Sequence, residues 1–374
     1  MRIARVEIFE YVLPFTRPFV TVRFAMTERR GLILKASSES GRVGFGEIAP
    51  LEGFSRELLS DCAEQAQSMA GKLTGSDVSE SHEEIAGLFA THQQLAPSVA
   101  FGFELALCDL AAQESNQSLA NWLRADAVSG VQVNAVVSGG DVASQVAAKL
   151  DQGYMAFKIK VGSRIMNDDI GSVQEIRKLI GPARKLRLDA NQAFSTGDAI
   201  RFLSSLTSFD VEYIEEPLKS PTAADLDSLR IGQNIPIAID ETLIQWCSSS
   251  TSSELELTAQ QLAAFDVAIV KPALMGSIAR TMRLAESLQS NGKGVIVTSA
   301  LDTGIGVMAA LQIAGALKIK SACGLDTSAI FARPLIAPLV AASGNLQLPN
   351  TTGLGLRVGD IAFESPCLRR IDVD

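Results

Sequence analysis

Five charged residues close five successive apolar runs, and their spacing constrains the architecture more than any other feature of the chain. Lys160 ends Met-Ala-Phe-Lys-Ile-Lys, Asp189 ends Lys-Leu-Arg-Leu-Asp, and Glu215 ends Val-Glu-Tyr-Ile-Glu. Asp240 ends Ile-Pro-Ile-Ala-Ile-Asp, and Lys271 ends Asp-Val-Ala-Ile-Val-Lys. The steps between them are 29, 26, 25 and 31 residues. Each step has room for one strand, one helix and two loops, so the spacing predicts a barrel whose strand ends converge on one mouth. That mouth would hold three carboxylates between two lysines.

Eight short apolar runs fit the barrel: 131–137, 155–160, 185–189, 211–215, 235–240, 266–271, 294–299 and 321–325. Segments of helical periodicity separate most of them, at 169–180, 198–206, 223–231, 277–289 and 306–317, and Ser195 followed by Asp198 marks a helix start. An open doubly wound sheet would carry a Gly-x-Gly-x-x-Gly turn after its first strand, and none is present. The sequence before the barrel reads as an α+β unit: a hairpin of 31–36 and 43–49, a loop at 16–30, a helix capped by Ser55 running to about 73, and another opened by Pro97. Beyond the eighth run the rhythm stops, and the tail is expected to fold back onto the N-terminal unit. The expected division is 1–128, 129–328 and 329–374. A Ser-rich stretch at 247–253 follows the fifth strand.

A net charge of −9 and a pI near 5.0 argue against nucleic acid or an anionic membrane as partner. The apolar stretches are too short to span a bilayer, and the first residues alternate like a strand rather than a signal peptide, so a cytoplasmic enzyme is expected. Five scattered cysteines form no Cys-x-x-Cys pair, and the two histidines, His82 and His92, lie in a polar helical stretch and read as surface residues. Neither set suggests a metal or a disulfide framework. Oligomeric state is not legible.

Asp189, Glu215 and Asp240, on consecutive strand ends, would lie side by side. Three adjacent carboxylates repel unless a cation holds them, and an all-oxygen set selects a hard one: Mg²⁺ first, with Mn²⁺ as substitute. The bland alternative is that each caps a helix or pairs with a lysine. Lys158 and Lys160, two apart in a strand, point to the same side, into the barrel. Lys160, nearer the mouth, is the candidate base, and Lys158 would lower its pKa. Lys271 would face Lys160 across the mouth. Lysines on opposite faces of a metal-bound carboxylate suit abstraction of its alpha proton.

Phe157-Lys-Ile-Lys160, Arg187-Leu-Asp-Ala-Asn191, Ile214-Glu-Glu-Pro217, Ile239-Asp-Glu-Thr242 and Val270-Lys-Pro-Ala-Leu-Met-Gly-Ser277 resemble, in order and spacing, the motifs of the enolase superfamily in its muconate-lactonizing subgroup. The resemblance implies a (β/α)7β TIM-like barrel with an N-terminal α+β capping domain completed by the C-terminal tail. It implies Asp189, Glu215 and Asp240 as Mg²⁺ ligands, Lys160 as base, and Lys271 as the opposing catalytic or charge-stabilising lysine. Gly46-Glu-Ile-Ala-Pro-Leu-Glu-Gly-Phe-Ser55, Pro97-Ser-Val-Ala-Phe-Gly-Phe-Glu-Leu-Ala and Gly324-Leu-Asp-Thr327 are most similar to the o-succinylbenzoate synthase family. Those enzymes dehydrate 2-succinyl-6-hydroxy-2,4-cyclohexadiene-1-carboxylate in menaquinone synthesis. On that resemblance Ser299, Ala300, Leu301, Gly324, Leu325, Gly53 and Phe54 are the candidate contacts to a small-molecule carboxylate substrate. The alternative is an N-acylamino acid racemase or dipeptide epimerase. Dipeptide epimerases carry Asp-x-Asp at the eighth strand to hold the substrate ammonium, and this chain has Gly324 at the first of those positions.

Overall fold

A computed structural model describes residues 1–20, 25–90, 95–138, 141–162, 165–249 and 256–373. His92 and residues 250–253 of the Ser-rich stretch lie outside the described residues. The chain opens with β1 (Ile3–Val20), β2 (Ala25–Ser38) and β3 (Val43–Ile48), and continues through β4 (Gly130–Gln132), β5 (Ala135–Val137), β6 (Ala156–Lys160) and β7 (Lys185–Asp189). It then forms β8 (Val211–Glu215), β9 (Ile237–Ile239), β10 (Val267–Val270) and β11 (Gly294–Val297), and ends with β12 (Asn345–Gln347) and β13 (Leu368–Ile371).

β1, β2 and β3 form an antiparallel meander, and β13 pairs along the free edge of β1, with Ile8 opposite Ile371. Burial alternates along β1 at Tyr11, Leu13 and Phe15, which face the core. The 16–30 segment, expected to be a loop, is mostly the extended ends of β1 and β2. Pro97 opens the helix Pro97–Glu114 as expected, and every residue from Ser98 to Ala112 is buried because the helix has neighbours on all sides. Gly46 and Gly102 permit that packing: a Cβ on Gly46 would lie 1.9 Å from the Gly102 carbonyl oxygen. Ser55 does not cap a helix. Its hydroxyl accepts from Leu51 N at 2.9 Å, closing a turn through Gly53 at φ +84°, and the helix starts later, at Leu59.

β5 to β11 form one parallel sheet in sequential order, each strand followed by a helix. The run 131–137 is two strands. β4 pairs antiparallel with β12, whereas β5 joins the barrel beside β6. The eighth run is a bridge rather than a strand, but it closes the circle. Cys323 N donates to Gln132 O at 2.7 Å and Asn134 N to Cys323 O at 3.0 Å on one side, and Gly324 N donates to Val297 O at 3.0 Å on the other. Inside, Tyr213, Ala238, Ile269 and Ile296 of four successive strands pack together. Buried Arg187 ties across this interior, donating to Glu212 Oε2 (2.6 Å), Asn134 Oδ1 (3.2 Å) and Ala322 O (2.6 Å).

The two units are joined by buried charge. Glu47 of β3 accepts from Tyr11 Oη (2.7 Å), from Thr303 N and Oγ1 (3.0 and 2.7 Å) and from Gly306 N (2.8 Å). It thereby caps the barrel helix Gly304–Ala316 from the other unit, where a carboxylate meets the positive end of the helix dipole. Among the described residues no helix is long and apolar enough to cross a membrane.

Candidate active site

The parallel register sets the site. Lys160 pairs with Asp189 and Asp189 with Glu215, so these three stand at one level of the barrel wall. One layer below, Lys158 pairs with Arg187 and Arg187 with Tyr213. Asp240 and Lys271 each follow an inward residue, Ala238 and Ile269, by two, so they face the same mouth. Lys271 is held just past its strand as the residue preceding the short helix Pro272–Met275. β6 and β10 are four strands apart, which puts Lys160 and Lys271 on opposite sides.

All six charged residues line a single pocket. Lys158 Nζ donates to Glu215 Oε2 and Oε1 at 3.1 and 3.3 Å and lies 3.7 Å from Asp189 Oδ2. Lys271 Nζ donates to Asp240 Oδ2 and lies 4.3 Å from the centroid of Phe54. Among the described residues Lys160 pairs with no carboxylate. Its Nζ donates to Asn191 Oδ1 at 3.0 Å and lies 4.8 Å from the centroid of Phe19. Burial, and then the Lys158 charge, lower the Lys160 pKa against the opposing pull of Asp189. At Lys271 burial also acts downward, but Asp240 and Glu241 outweigh it and the pKa is raised. The two lysines are therefore unequal: the surroundings of Lys160 lower its pKa and those of Lys271 raise it.

The carboxylates suit a hard cation. Burial, then repulsion from Asp189 and Asp240, pushes Glu215 up to about 7 despite Lys158. Asp240 Oδ1 is buried with no hydrogen-bond partner, an acceptor arrangement that burial penalises unless a cation or donor meets it. Asp189, Glu215 and Asp240 are 4, 2 and 3% exposed and offer only oxygen. Lys158 pairs with Asp189 and Glu215 on one side of the set, and Lys271 with Asp240 on the other. Glu216 fixes the next layer. It accepts from Asp240 N and Thr242 N, both at 2.7 Å, and from Thr242 Oγ1 at 2.9 Å, with its own backbone turned to φ +44°. A non-glycine residue there costs about 1–3 kcal/mol, which those bonds offset.

The rest of the pocket is mostly apolar: Phe19, Leu51 and Phe54 from the capping unit, Val136, Ala300 and Leu301 from the barrel, with Ser299, Thr298 and Thr327 beside Gly324. Leu325 is fully buried in the core and does not reach this wall. Gly53 does not line it either; it turns the chain that presents Phe54 and lines two neighbouring clefts. Gly324 has no room for a side chain, since a Cβ would lie 2.4 Å from Thr298 Oγ1. Asp326 is absent from the wall: Lys149 Nζ (2.7 Å) and Tyr154 Oη (2.6 Å) both donate to its Oδ2.

Asn191, Glu216 and Arg29 were not among the expected site residues. The first two sit inside the motifs and could have been found there. Arg29 carried no signal. Only 3% exposed, it donates to the carbonyls of Ala49 and Pro50 (both 2.6 Å) in one unit and of Leu301 and Ala300 (3.2 and 3.4 Å) in the other. His82 is also not a surface residue; its side chain is 17% exposed and its Nε2 lies 3.3 Å from Glu104 Oε1. Cys62, Cys108, Cys247 and Cys323 are buried, as small core residues should be.

Residues 141–362 match the family described as "Enolase C-terminal domain-like", and residues 3–110 match "MenC, N-terminal domain". The o-succinylbenzoate synthase of Vibrio cholerae serotype O1 (strain M66-2) is 29% identical over 335 residues, covering 88% of this chain and 91% of that protein. The D-Ala-D/L-Ala epimerase of Cytophaga hutchinsonii is 26% identical over 367 residues, covering 95% of each. The dipeptide epimerase of Enterococcus faecalis V583, solved with Mg and the dipeptide L-Leu-L-Tyr, superposes with a TM-score of 0.81 at 22% identity, over 95% of this chain and 99% of that one. The family match over more than half the chain agrees with the closed barrel and its ring of charged strand ends, and the chain belongs to the enolase superfamily.

Proposed function

We propose that this enzyme is a Mg²⁺-dependent carbon–oxygen lyase that forms o-succinylbenzoate from 2-succinyl-6-hydroxy-2,4-cyclohexadiene-1-carboxylate. Asp189, Glu215 and Asp240 would hold the cation, which supplies Lewis-acid stabilisation of the charge that develops on the substrate carboxylate. Neutral Lys160 removes the proton alpha to that carboxylate. The released electron pair forms the new ring double bond as the neighbouring C–O bond breaks, and Lys160 returns its proton to the departing hydroxide, giving water. Lys158 keeps Lys160 low in pKa, and Lys271 remains charged on the opposite face.

The observation that carries this reading is the wall. A dipeptide brings an ammonium that needs a carboxylate beyond the metal set. Gly324 cannot accept one without displacing Thr298, and Asp326 is already engaged by Lys149 and Tyr154. The apolar wall suits a ring. The second reading is racemisation of an N-acylamino acid, which has no free ammonium. The opposed position of Lys271 favours it, since that chemistry needs a base on each face.

Purified enzyme with Mg²⁺ should convert the cyclohexadiene carboxylate with kcat/KM of at least ~10⁴ M⁻¹s⁻¹, followed by loss of diene absorbance. Alpha-deuterium exchange into N-succinylamino acids and dipeptides is measured in parallel. An untouched diene beside rapid exchange in either amino acid derivative would replace the lyase with the two-base reading.

A further inference from the structure

Away from the barrel mouth, three side chains that commonly bind metals meet at the seam between the units. His82 begins the helix His82–Ala90, and Glu104 and Cys108 lie one turn apart on one face of Pro97–Glu114. Their ligating atoms all lie within 4.8 Å of one another. Among the described residues no other trio of His, Cys, Asp or Glu does so.

The cluster is built around an incompletely satisfied carboxylate. Glu104 is fully buried; its Oε1 accepts from Ala279 N at 3.0 Å and lies 3.3 Å from His82 Nε2, while Oε2 has no hydrogen-bond partner. An ion pair with His82 accounts for one oxygen and leaves the other unmet. Cys108, also fully buried, sets a sulfur beside that carboxylate.

We propose that His82, Glu104 and Cys108 form a binding site for a divalent transition-metal ion of the Zn²⁺ class, separate from the hard-cation set at the mouth. Imidazole nitrogen and thiolate sulfur select a borderline-soft ion over Mg²⁺. Tetrahedral coordination at bond lengths of about 2.0–2.3 Å places ligand atoms roughly 3.3–3.8 Å apart, so the His82–Glu104 separation already fits and Cys108 needs only a small side-chain shift. A water would complete the tetrahedron; of the three residues only His82 has an appreciable exposed fraction, 17% of its side chain. As the metal–sulfur bond forms, the Cys108 proton leaves to solvent. Through Ala279, the bound ion ties both capping helices to the barrel helix Ile278–Ser290.

The test uses the full chain saturated with Mg²⁺ and titrated with Co²⁺. One equivalent should produce a sulfur-to-cobalt charge-transfer band that Zn²⁺ displaces; the carboxylates at the mouth contain no sulfur and cannot give it. Trp122, whose ring centroid is 5.7 Å from that of His82, should be quenched, read in the Trp246→Phe chain where it is the sole tryptophan. Cys108→Ser should abolish the band and His82→Asn should weaken binding at least ~10-fold, both with Mg²⁺-dependent turnover unchanged. No sulfur band in the Mg²⁺-saturated wild type, or a band that survives Cys108→Ser, overturns the site. Should Cys108→Ser not fold, the wild-type spectrum and the His82→Asn titration decide it.

Discussion

The floor and the wall of the pocket are built in different ways. The floor is a ring of strand-end side chains on β6 to β10, charged, buried and held at one level by parallel register. The wall is assembled from Phe19, Leu51 and Phe54 of one unit and Ala300 and Leu301 of the other, and Arg29 holds it together through backbone carbonyls of both. On the proposed reading the floor would determine which bond is made acidic and the wall which molecule presents it, two tasks assigned to separately built halves of one pocket.

Breaking the floor should have the largest effect. Lys160→Ala should lower kcat by at least ~10³-fold while circular dichroism and Mg²⁺ binding stay intact, because proton transfer needs that amine and the carboxylates remain. A variant that retains turnover would mean that Lys160 is not the base. Asp240→Asn should come next. It removes one of three charged oxygens, so Mg²⁺ affinity measured by calorimetry should fall ~10–100-fold, with activity partly recovered at high Mg²⁺.

Disturbing the wall should be milder and of another kind. Arg29→Met leaves the buried carbonyls of Ala49, Pro50 and Ala300 without their donor and loosens the seam beside Leu301, so KM should rise roughly tenfold with kcat nearly unchanged. An equal loss in kcat would show that the wall takes part in the chemistry and would erase the contrast.

The smallest effect lies in pH. Glu215, Glu216 and Asp302 are each pushed up to about 7, burial being the first cause in every case. A carboxyl raised above its usual value near 4.5 or below binds its proton more tightly folded than unfolded. Its stabilising contribution is complete below the unfolded pKa and is lost as pH rises through about 7. The chelated protein should therefore melt at progressively lower temperature from pH 5 to pH 8. Mg²⁺ should flatten that slope through Glu215, and a slope indifferent to Mg²⁺ would separate Glu215 from the cation.

Much of the floor was legible because its signals are local. A strand followed by a charge, repeated at intervals of one βα unit, places Lys160, Asp189 and Glu215 at one level by register. Two-residue periodicity turns Lys158 inward with Lys160. The Ser195 cap likewise needs only the three-residue reach to Asp198. The run at 131–137 misled, because a continuous apolar segment cannot show that its first half pairs with β12 and its second with β6. Ser55 misled in the same way: the turn through Gly53 took its hydroxyl before a helix could.

The sequence by itself determined the barrel and the ring of carboxylates and lysines at its mouth, since alternation and spacing are properties of the chain along its own length. Only the tertiary structure decided that Lys160 faces Asn191 while Lys271 is bound to Asp240, that Arg29 clamps two units across 272 residues, and that His82 meets Glu104 and Cys108. Those outcomes depend on burial, on backbone acceptors that every residue possesses, and on side chains far apart in the sequence. Such contacts leave no periodic trace in the order of the residues, and they exist only once the two units have closed on each other.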